Sequence, residues 1–399
     1  METIRSYTQF GGAYAETAAL TNVLAAAGVR APHTGQPFSE AMIFGIGGGP
    51  GAGYILWEFQ GNNHSTKVLV LAFQHLWQYP MRFYQGLCDR IGVTISMPET
   101  GSRKAAGEML QAALAQGKGA AAWVDRAHMP YLQLPEMLKG HIGHIVAVCG
   151  RDGGDMLIDD RAAAPFRMGE GELADARGRI TSYKNRLLLV EGISNCDLPG
   201  AIQAGLRACV EHLSSPSDSF SLPAIRKWGK MMTDTKNSKG WPRLFGDGRG
   251  LFSVLRSAFE GTALNVGEGG LRGLYARFLE EAAGVAGNAG LRSAADQYRG
   301  LAQRWEAFAE AVLPDEVEPF AEAKGLLRRR HAAILMGGEA WRGSQAENEA
   351  LEAVHARVKQ EFPLDEAGVK RLFEGMQGHL MGLYAAETAA LEGLREAVG

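Results

Sequence analysis

Three features in the first half of the chain bring together residues that could do chemistry. Gln9 lies six residues before Ala15, which begins a predicted helix just after a glycine-containing turn. His144 stands near the start of a β-type run, and Asp159 and Asp160 end the next predicted strand across a hairpin. A helix start, a histidine strand and an acidic strand end therefore follow one another in the chain.

These residue types can carry out nucleophilic acyl chemistry once the fold brings them together. A thiol at the N-terminus of a helix is favoured as the thiolate by the helix dipole. A histidine on a strand acts first as base and then as acid, and a carboxylate on the adjacent strand orients its imidazole. A glutamine amide shortly before the helix can donate to the oxyanion of the tetrahedral intermediate. In this sequence Ala15 occupies the place of the thiol, so only the sulfur is missing.

These residues also have purely structural interpretations. His144 could be a core histidine whose ring is satisfied by hydrogen bonds, and His141 is predicted to lie in a loop. Asp159 and Asp160 would otherwise be a turn or cap at a strand end. A shift of one residue in strand pairing would exchange the two aspartates, so the sequence leaves open which one orients the histidine, with Asp160 preferred.

The glycine run at 45–51 is a candidate for close backbone approach to a substrate. It lacks the lysine and serine or threonine that complete a phosphate-binding loop, so it is not a P-loop. We predict a tight loop in which Gly47, Gly48 and Gly49 lie against an acyl or pantetheine arm. Tyr54, just beyond it, is predicted either to contact the substrate or to be a core or cleft-wall aromatic residue.

Four further residues are candidates to contact a substrate. Asp125 follows the strand predicted at 120–124, and Tyr131 comes shortly afterwards, before the histidine strand. Tyr14 and Glu16 flank position 15 at the predicted helix start. A structural role is the alternative for Asp125 and Tyr131.

Helical and strand signals alternate in the first half of the chain, whereas the second half is predicted to be helical. Residues 15–27 are rich in helix formers and end at Gly28, a favourable C-cap. Two further stretches with an apolar face lie at 68–76 and 104–116. Short β-type runs lie at 120–124, 142–149, 156–158 and 186–190. We place the domain boundary near 195–200, with an α+β domain over 1–195 and an all-α domain over 196–399.

The composition is that of an ordinary globular protein and excludes several classes. Hydrophobic residues make up 46% and charged residues 21%, and 41 basic against 44 acidic side chains argue against nucleic-acid binding. No apolar run reaches the roughly 18–20 residues that a membrane helix needs, and the first residues lack the apolar stretch of a secretory signal. The four cysteines are scattered, so we expect no disulfide framework, no zinc site and a cytoplasmic location.

Longer stretches resemble the butirosin biosynthesis protein H family. The segment GGAYAETAALTNVLAAAG, followed by FSEAMIFGIGGGPGAGYILWEF, resembles its N-terminal domain, as does HIVAVCGRDGGDMLIDDRAAAPFRM at 144–168. In the second half, KGWPRLF at 239–245 and GEGGLRGLYARFLEEAA at 267–283 resemble the helical domain usually fused to it. The resemblance covers nearly the whole chain, and its motifs are specific in combination.

The resemblance implies a papain-like fold for the first domain and an acyltransferase activity. The member that gives the family its name moves an acyl group from the thioester of an acyl carrier protein to an amine of a small molecule, and the resemblance implies such a transfer here, in specialised-metabolite biosynthesis. By position, Ala15 occupies the cysteine place and Tyr14 that of a preceding histidine, with His144 as base and Asp160 as orienting acid. No metal or bound cofactor is implied, because phosphopantetheine arrives on the donor. The basic run at 328–331 is either a steering patch for an acidic carrier protein or a solvated helix face, and homo-oligomerisation is left open.

Alanine at position 15 cannot attack a thioester, which leaves three interpretations. The residue is an engineered replacement of cysteine, or a natural one, or the alignment is wrong. A natural member would either only bind, or catalyse direct attack of the amine on a carrier thioester. Tyr14 also departs from the family pattern, which favours natural divergence. The rival functions are a carrier-protein-binding pseudoenzyme and a papain-like peptidase or amidase.

Overall fold

The computed structural model describes residues 2–60 and 65–399 and shows an α+β protein. Its strands are β1 (Glu2–Thr3), β2 (Pro50–Gln60), β3 (Ser65–Gln74), β4 (Val93–Ser96), β5 (Ala120–Asp125), β6 (Gly143–Asp152), β7 (Asp155–Asp159), β8 (Phe166–Gly169) and β9 (Leu187–Ile193). Its helices are α1 (Ala15–Ala26), α2 (Glu40–Ile46), α3 (Pro80–Arg90), α4 (Arg103–Ala115), α5 (Glu170–Arg179), α6 (Leu198–Ser214), α7 (Pro223–Thr233), α8 (Trp241–Phe245), α9 (Leu251–Phe259), α10 (Arg272–Ala286), α11 (Ala289–Val312), α12 (Glu318–Met336), α13 (Gln345–Gln360) and α14 (Glu366–Val398). Within the described ranges, no helix has the length and apolar character needed to cross a membrane.

The chain divides into two compact units, and each is assembled from separate segments. The sheet unit consists of Met1–Ile43, Gln85–Ala201 and Arg329–Asn348. The helical unit consists of Phe44–Tyr84, Ile202–Arg328 and Glu349–Gly399. The predicted boundary near 195–200 lies close to Ala201, after which the chain passes from the sheet unit to the helical unit. The prediction assumed two continuous domains, whereas each unit is built from three separate segments.

A 7-stranded sheet with the order β4-β9-β5-β6-β7-β8, and with β1 paired to β6, is the centre of the sheet unit. In the antiparallel pair of β5 and β6, Val124 lies opposite His144 and Asp125 lies opposite Gly143. The β6–β7 hairpin turns at Gly153, whose φ is +60°, as the sequence predicts. This hairpin brings the end of the acidic strand β7 beside the histidine strand β6.

Successive residues of a strand point to opposite faces of the sheet. The central strands of this sheet are buried along most of their length, and helices pack against them. Leu110 of α4 and Leu173 of α5 belong to one core cluster with Val146 and Val148 of β6. Helix α1 packs against β6 and β5, and its Asn22 reaches the end of β7. The predicted helix at 15–27 is confirmed, with its end one residue earlier.

The helical unit contains a two-stranded sheet in addition to its helices. Strands β2 and β3 form an antiparallel hairpin in which Ile55 lies opposite Val70 and Trp57 opposite Val68. The apolar-faced stretch at 104–116 is helix α4, whereas the stretch at 68–76 lies mostly in β3. Consecutive apolar residues in this stretch, of which Val68 and Val70 are β-branched, suit a strand. Beyond this hairpin, α11 packs against both α10 and α14.

Candidate active site

Position 15 is the first residue of α1, and this residue is 7% exposed. The carboxylate of Glu40 holds the chain immediately before it. Glu40 Oε2 accepts a hydrogen bond from the Ala13 N–H at 2.7 Å, and Oε1 accepts from the Tyr14 N–H at 3.0 Å. The Thr17 hydroxyl donates to Oε1 at 2.6 Å. An acidic side chain therefore fixes the helix start at the end where the helix dipole favours negative charge.

His144 and Asp160 form a buried imidazole–carboxylate pair. Nε2 of His144 lies 2.7 Å from Oδ2 of Asp160. The Tyr131 hydroxyl donates to the same oxygen at 2.9 Å, and its ring stacks on Phe166 with centroids 3.7 Å apart. The guanidinium Nε of Arg161 lies 3.8 Å from the other carboxylate oxygen. Because Nε2 faces the carboxylate, Nδ1 is the ring nitrogen oriented away from it.

The electrostatics keep Asp160 ionised. Burial by itself would raise the pKa of Asp160, but the charge and hydrogen bond of His144 lower it to about 2, with help from Arg161 and Tyr131. Burial raises the pKa of Tyr131 well above its ordinary value, and the Asp160 charge raises it further. Tyr131 therefore stays a hydrogen-bond donor, and the carboxylate can hold one imidazole tautomer.

Asp159, the other candidate acid, has different partners. Its Oδ2 accepts hydrogen bonds from the Tyr7 hydroxyl at 2.6 Å and from Asn22 Nδ2 at 2.7 Å. Asn22 Nδ2 also donates to the backbone oxygen of Gly11 at 3.0 Å. Asp159 thus secures the loop that leads into α1. Gln9 is half-buried in the same loop, and its role as an oxyanion donor remains a prediction.

The environment of Asp159 predicts a pH-dependent stability. Burial raises its pKa to about 7, despite the opposing hydrogen bonds from Tyr7 and Asn22. The folded-state pKa lies above the ordinary value of 3.8, so the protonated carboxyl's contribution is complete below about pH 4 and is lost as the pH rises through 7. Asp159→Asn should remove this dependence, which is on the order of a few kcal/mol. Urea unfolding at pH 5, 6, 7 and 8 measures it, and equal pH slopes for the variant and the unaltered protein would show that the prediction is wrong.

Tyr183 links the start of α1 with the start of the histidine strand. Its hydroxyl lies against Gly143, where a Cβ atom would be only 1.7 Å from the oxygen. Burial raises the pKa of Tyr183, and the negative charges of Glu16 and Asp125 raise it further. Glu16 follows position 15, and Gly143 precedes the histidine. The Tyr183 hydroxyl therefore lies against the residue before one predicted catalytic position and within the electrostatic influence of the residue after the other.

The predicted glycine loop is buried in the helical unit between α2 and β2. Gly47, Gly48 and Gly49 are all buried. A Cβ at Gly48 would lie 2.5 Å from the His75 ring, and one at Gly49 would lie 2.4 Å from the Tyr275 ring. Gly48 and Gly49 also have φ values of +115° and +64°, which favour glycine. Packing and backbone conformation account for these glycines, and contact with a substrate remains a prediction.

Tyr54 is part of the core of the helical unit. Its ring stacks on Trp228 with centroids 5.4 Å apart, and its hydroxyl accepts a hydrogen bond from Trp241 Nε1 at 3.0 Å. This arrangement favours the core interpretation of Tyr54 over a contact with substrate.

The arginines of the basic run at 328–331 form ion pairs and a hydrogen bond with nearby side chains. Arg328 pairs with Glu310, and Nε of Arg329 lies 3.7 Å from the carboxylate of Glu347. Arg330 is buried and donates to Asn348 at 3.2 Å. These contacts favour the solvated helix face over a steering patch.

Sequence reasoning missed several residues that build this site. Glu40 lies far from position 15 in sequence, and only the fold brings its carboxylate there. Asn22 could have been noticed, because it is a polar residue in the apolar second half of α1. His128 also went unnoticed: its Nδ1 lies 2.5 Å from Oδ2 of Asp125, at the end of β5. The described residues contain no cluster of His, Cys, Asp and Glu that could hold a metal ion.

Comparison with protein families identifies the region that contains this site. Residues 15–161 match the family model of butirosin biosynthesis protein H, N-terminal. The chain carries a domain of this family. Residues 172–329 match a second model, a domain of unknown function (DUF4872). The predicted family is therefore confirmed, and the butirosin H-type domain contains Ala15, His144 and Asp160. No curated protein shows significant similarity to the chain.

Proposed function

We propose that this protein is a biosynthetic acyltransferase that moves an acyl group from a carrier-protein thioester to a small-molecule amine. The observation that carries the proposal is the buried His144–Asp160 pair, at 2.7 Å, in a domain of the butirosin H family. Such a pair removes a proton from a nucleophile and returns it to a leaving group. The family is named for a protein of butirosin biosynthesis, which supports a role in natural product formation.

We propose a papain-like fold for the catalytic domain. The order of a helix start at Ala15, a histidine on β6 and an acid at the end of β7 supports it. The packing of α1 against β6 also supports it. The Tyr183 hydroxyl lies against Gly143, and the charge of Glu16 raises the pKa of Tyr183. Both observations support the proximity of the start of α1 to the start of β6.

Because residue 15 is alanine, the proposed transfer has no acyl-enzyme intermediate. The acceptor amine attacks the thioester carbonyl directly, the C–N bond forms and the C–S bond breaks. Nδ1 of His144 takes a proton from the attacking nitrogen and delivers it to the departing pantetheine sulfur. We assign the stabilisation of the oxyanion to Gln9 and to the N–H of Ala15, which has no partner within the helix at this first position.

The donor and the acceptor are identified by chemistry alone. The donor carries its acyl group on phosphopantetheine, so the protein itself needs no metal or organic cofactor for the transfer. The acceptor is a primary amine of a small molecule. Asp125 and Tyr131 are proposed to border its pocket.

A second candidate function is a protein that binds an acyl carrier protein without turnover. Ala15 itself favours this candidate, since the position of the family's nucleophile cannot react. The two candidates differ in a single observable, the formation of an amide.

The test combines the unaltered protein with its Ala15→Cys variant. Each is incubated with an acyl-pantetheine thioester, with and without a primary amine, and followed by intact-protein mass spectrometry, product mass and thiol release. We expect amide from the unaltered protein without any covalent adduct, at a rate about 10²–10⁴-fold above that of a His144→Gln variant. Ala15→Cys should gain the acyl mass and release it to the amine.

Each alternative result supports a different function. Acylation of the cysteine variant alone, with no amide from the unaltered protein, would support the binding protein. Cleavage of a peptide in the absence of amine would support a papain-like peptidase.

A further inference from the structure

A second imidazole–carboxylate pair lies at the same end of the sheet. Nδ1 of His128 is 2.5 Å from Oδ2 of Asp125, and the Gly140 N–H donates to the same oxygen at 2.7 Å. The Asp125 side chain is fully buried, whereas the His128 side chain is 19% exposed. The carboxylate thus holds the imidazole through Nδ1, and Nε2 is the nitrogen left to accept a proton.

The position of this pair relates it to the candidate active site. Asp125 is the last residue of β5 and lies opposite Gly143, the residue before His144. The N–H of Arg126 donates to the Ile142 oxygen at 2.8 Å, which fixes the turn that carries His128 against the start of β6. Gly143 is exposed, so the start of the histidine strand is open to solvent.

Further charged groups face the pair from neighbouring elements. The hydroxyl of Tyr183 lies against Gly143. Burial raises the pKa of Tyr183, and the negative charges of Glu16 and Asp125 raise it further. The Nε of Arg179 on α5 lies against Gly140. Asp125 therefore lies beside the start of the histidine strand, opposite Gly143, and is buried there.

The chemistry of amide formation requires two proton acceptors. An alkyl amine in neutral water is an ammonium ion, R–NH₃⁺, whereas the nitrogen of the amide product carries a single hydrogen. Two protons must leave the nitrogen: one ends on the thiol leaving group and the other goes to solvent. A single imidazole can carry only one of them in each event.

We propose that His128, oriented by Asp125, is the base that deprotonates the ammonium form of the acceptor and discharges that proton to solvent. This inference rests on the proposed acyl transfer. Nε2 of His128 takes the first proton and leaves a neutral amine. The amine then attacks the thioester carbonyl while the buried His144 takes the second proton and passes it to the sulfur as the C–S bond breaks. Partial exposure suits His128 for exchange with water, and burial suits His144 for transfer within the site.

The test compares two acceptors that differ in protonation. A primary alkylamine is an ammonium ion at pH 7, whereas methoxyamine is already the free base. With an acyl-pantetheine thioester as donor, thiol release and product mass are followed for the full-length unaltered protein and for His128→Gln, His144→Gln and His141→Gln. Glutamine at 128 keeps a neutral polar side chain of similar size, but it cannot carry a proton.

We expect His128→Gln to lose at least about tenfold in rate with the alkylamine and to match the unaltered protein with methoxyamine. His144→Gln should lose activity with both acceptors. His141 is an exposed residue of the same loop, and His141→Gln should keep its activity with both. Circular dichroism verifies folding, and Asp125→Asn is a second variant expected to show the same selectivity more weakly.

If folded His128→Gln loses the same factor in rate with both acceptors, the His128–Asp125 pair has only a structural role. If it loses no rate with either acceptor, the pair takes no part in the reaction. Both of these results overturn the inference alone. If the unaltered protein releases no thiol with either amine, the proposed function itself falls, and this inference falls with it.

Discussion

Asp160→Asn should lower the rate of amine-dependent thioester consumption by about 10³–10⁴-fold, the size of effect seen when a triad carboxylate becomes an amide. His144 and Tyr131 both bond to Oδ2 of Asp160, so an asparagine can keep its amide oxygen there and place its nitrogen at the position of the other oxygen. The two hydrogen bonds are then retained. What is lost is the negative charge that stabilises the protonated imidazole during the transfer.

Two further variants separate this electronic effect from a general loss of structure. Asp155→Asn changes the other end of the same strand and should leave the rate unchanged. Tyr131→Phe removes one hydrogen bond to the carboxylate while keeping its charge, and should cause a loss of about tenfold, corresponding to one hydrogen bond to a charged group. Thiol-release kinetics with parallel thermal unfolding measure all three. A folded Asp160→Asn protein with normal rates would mean that the pair is structural.

The sequence contained enough to predict the pair but not to choose the acid. Strand β6, strand β7 and the glycine turn between them follow from alternating apolar residues, which is a local signal. Adjacent residues at the end of a strand point to opposite faces, and for this reason Asp159 reaches Tyr7 and Asn22 while Asp160 reaches His144. Which face carries the histidine depends on pairing register, and sequence spacing alone leaves that uncertain by one residue.

The parts that could not be predicted depend on long-range packing. Glu40 reaches the backbone before α1 across an intervening helix and loop, and no local pattern marks it. The glycine run suggested a ligand loop because glycines permit close approach, but here the close neighbours are the His75 and Tyr275 rings of the same unit. The pairing of Asp125 with His128 spans only three residues, yet a short turn gives no periodic signal that would reveal it.

The core of the helical unit contains a buried ion pair, formed by Arg272 on α10 and Glu387 on α14. Both side chains are 0% exposed, and Nε of Arg272 lies 2.7 Å from Oε1 of Glu387. Trp305 Nε1 donates to the same oxygen at 2.8 Å, while the other guanidinium nitrogens donate to the backbone oxygens of Gly270 and Gly51. The pair therefore joins two helices to the start of the β2–β3 hairpin.

Glu387→Gln should lower the free energy of unfolding by about 3–5 kcal/mol, because it preserves the shape of the side chain and leaves the Arg272 charge buried without its counter-charge. Glu280→Gln, which breaks an exposed pair with Arg299, is the matched control and should cost less than about 1 kcal/mol. Urea unfolding followed by tryptophan fluorescence measures both variants. The double variant Arg272→Met with Glu387→Met should recover much of the loss, because replacing both charges by apolar groups removes the desolvation penalty that the single change exposes. A Glu387→Gln protein as stable as the control variant would mean that the hydrogen bonds to Gly270 and Gly51 alone suffice to hold the buried guanidinium.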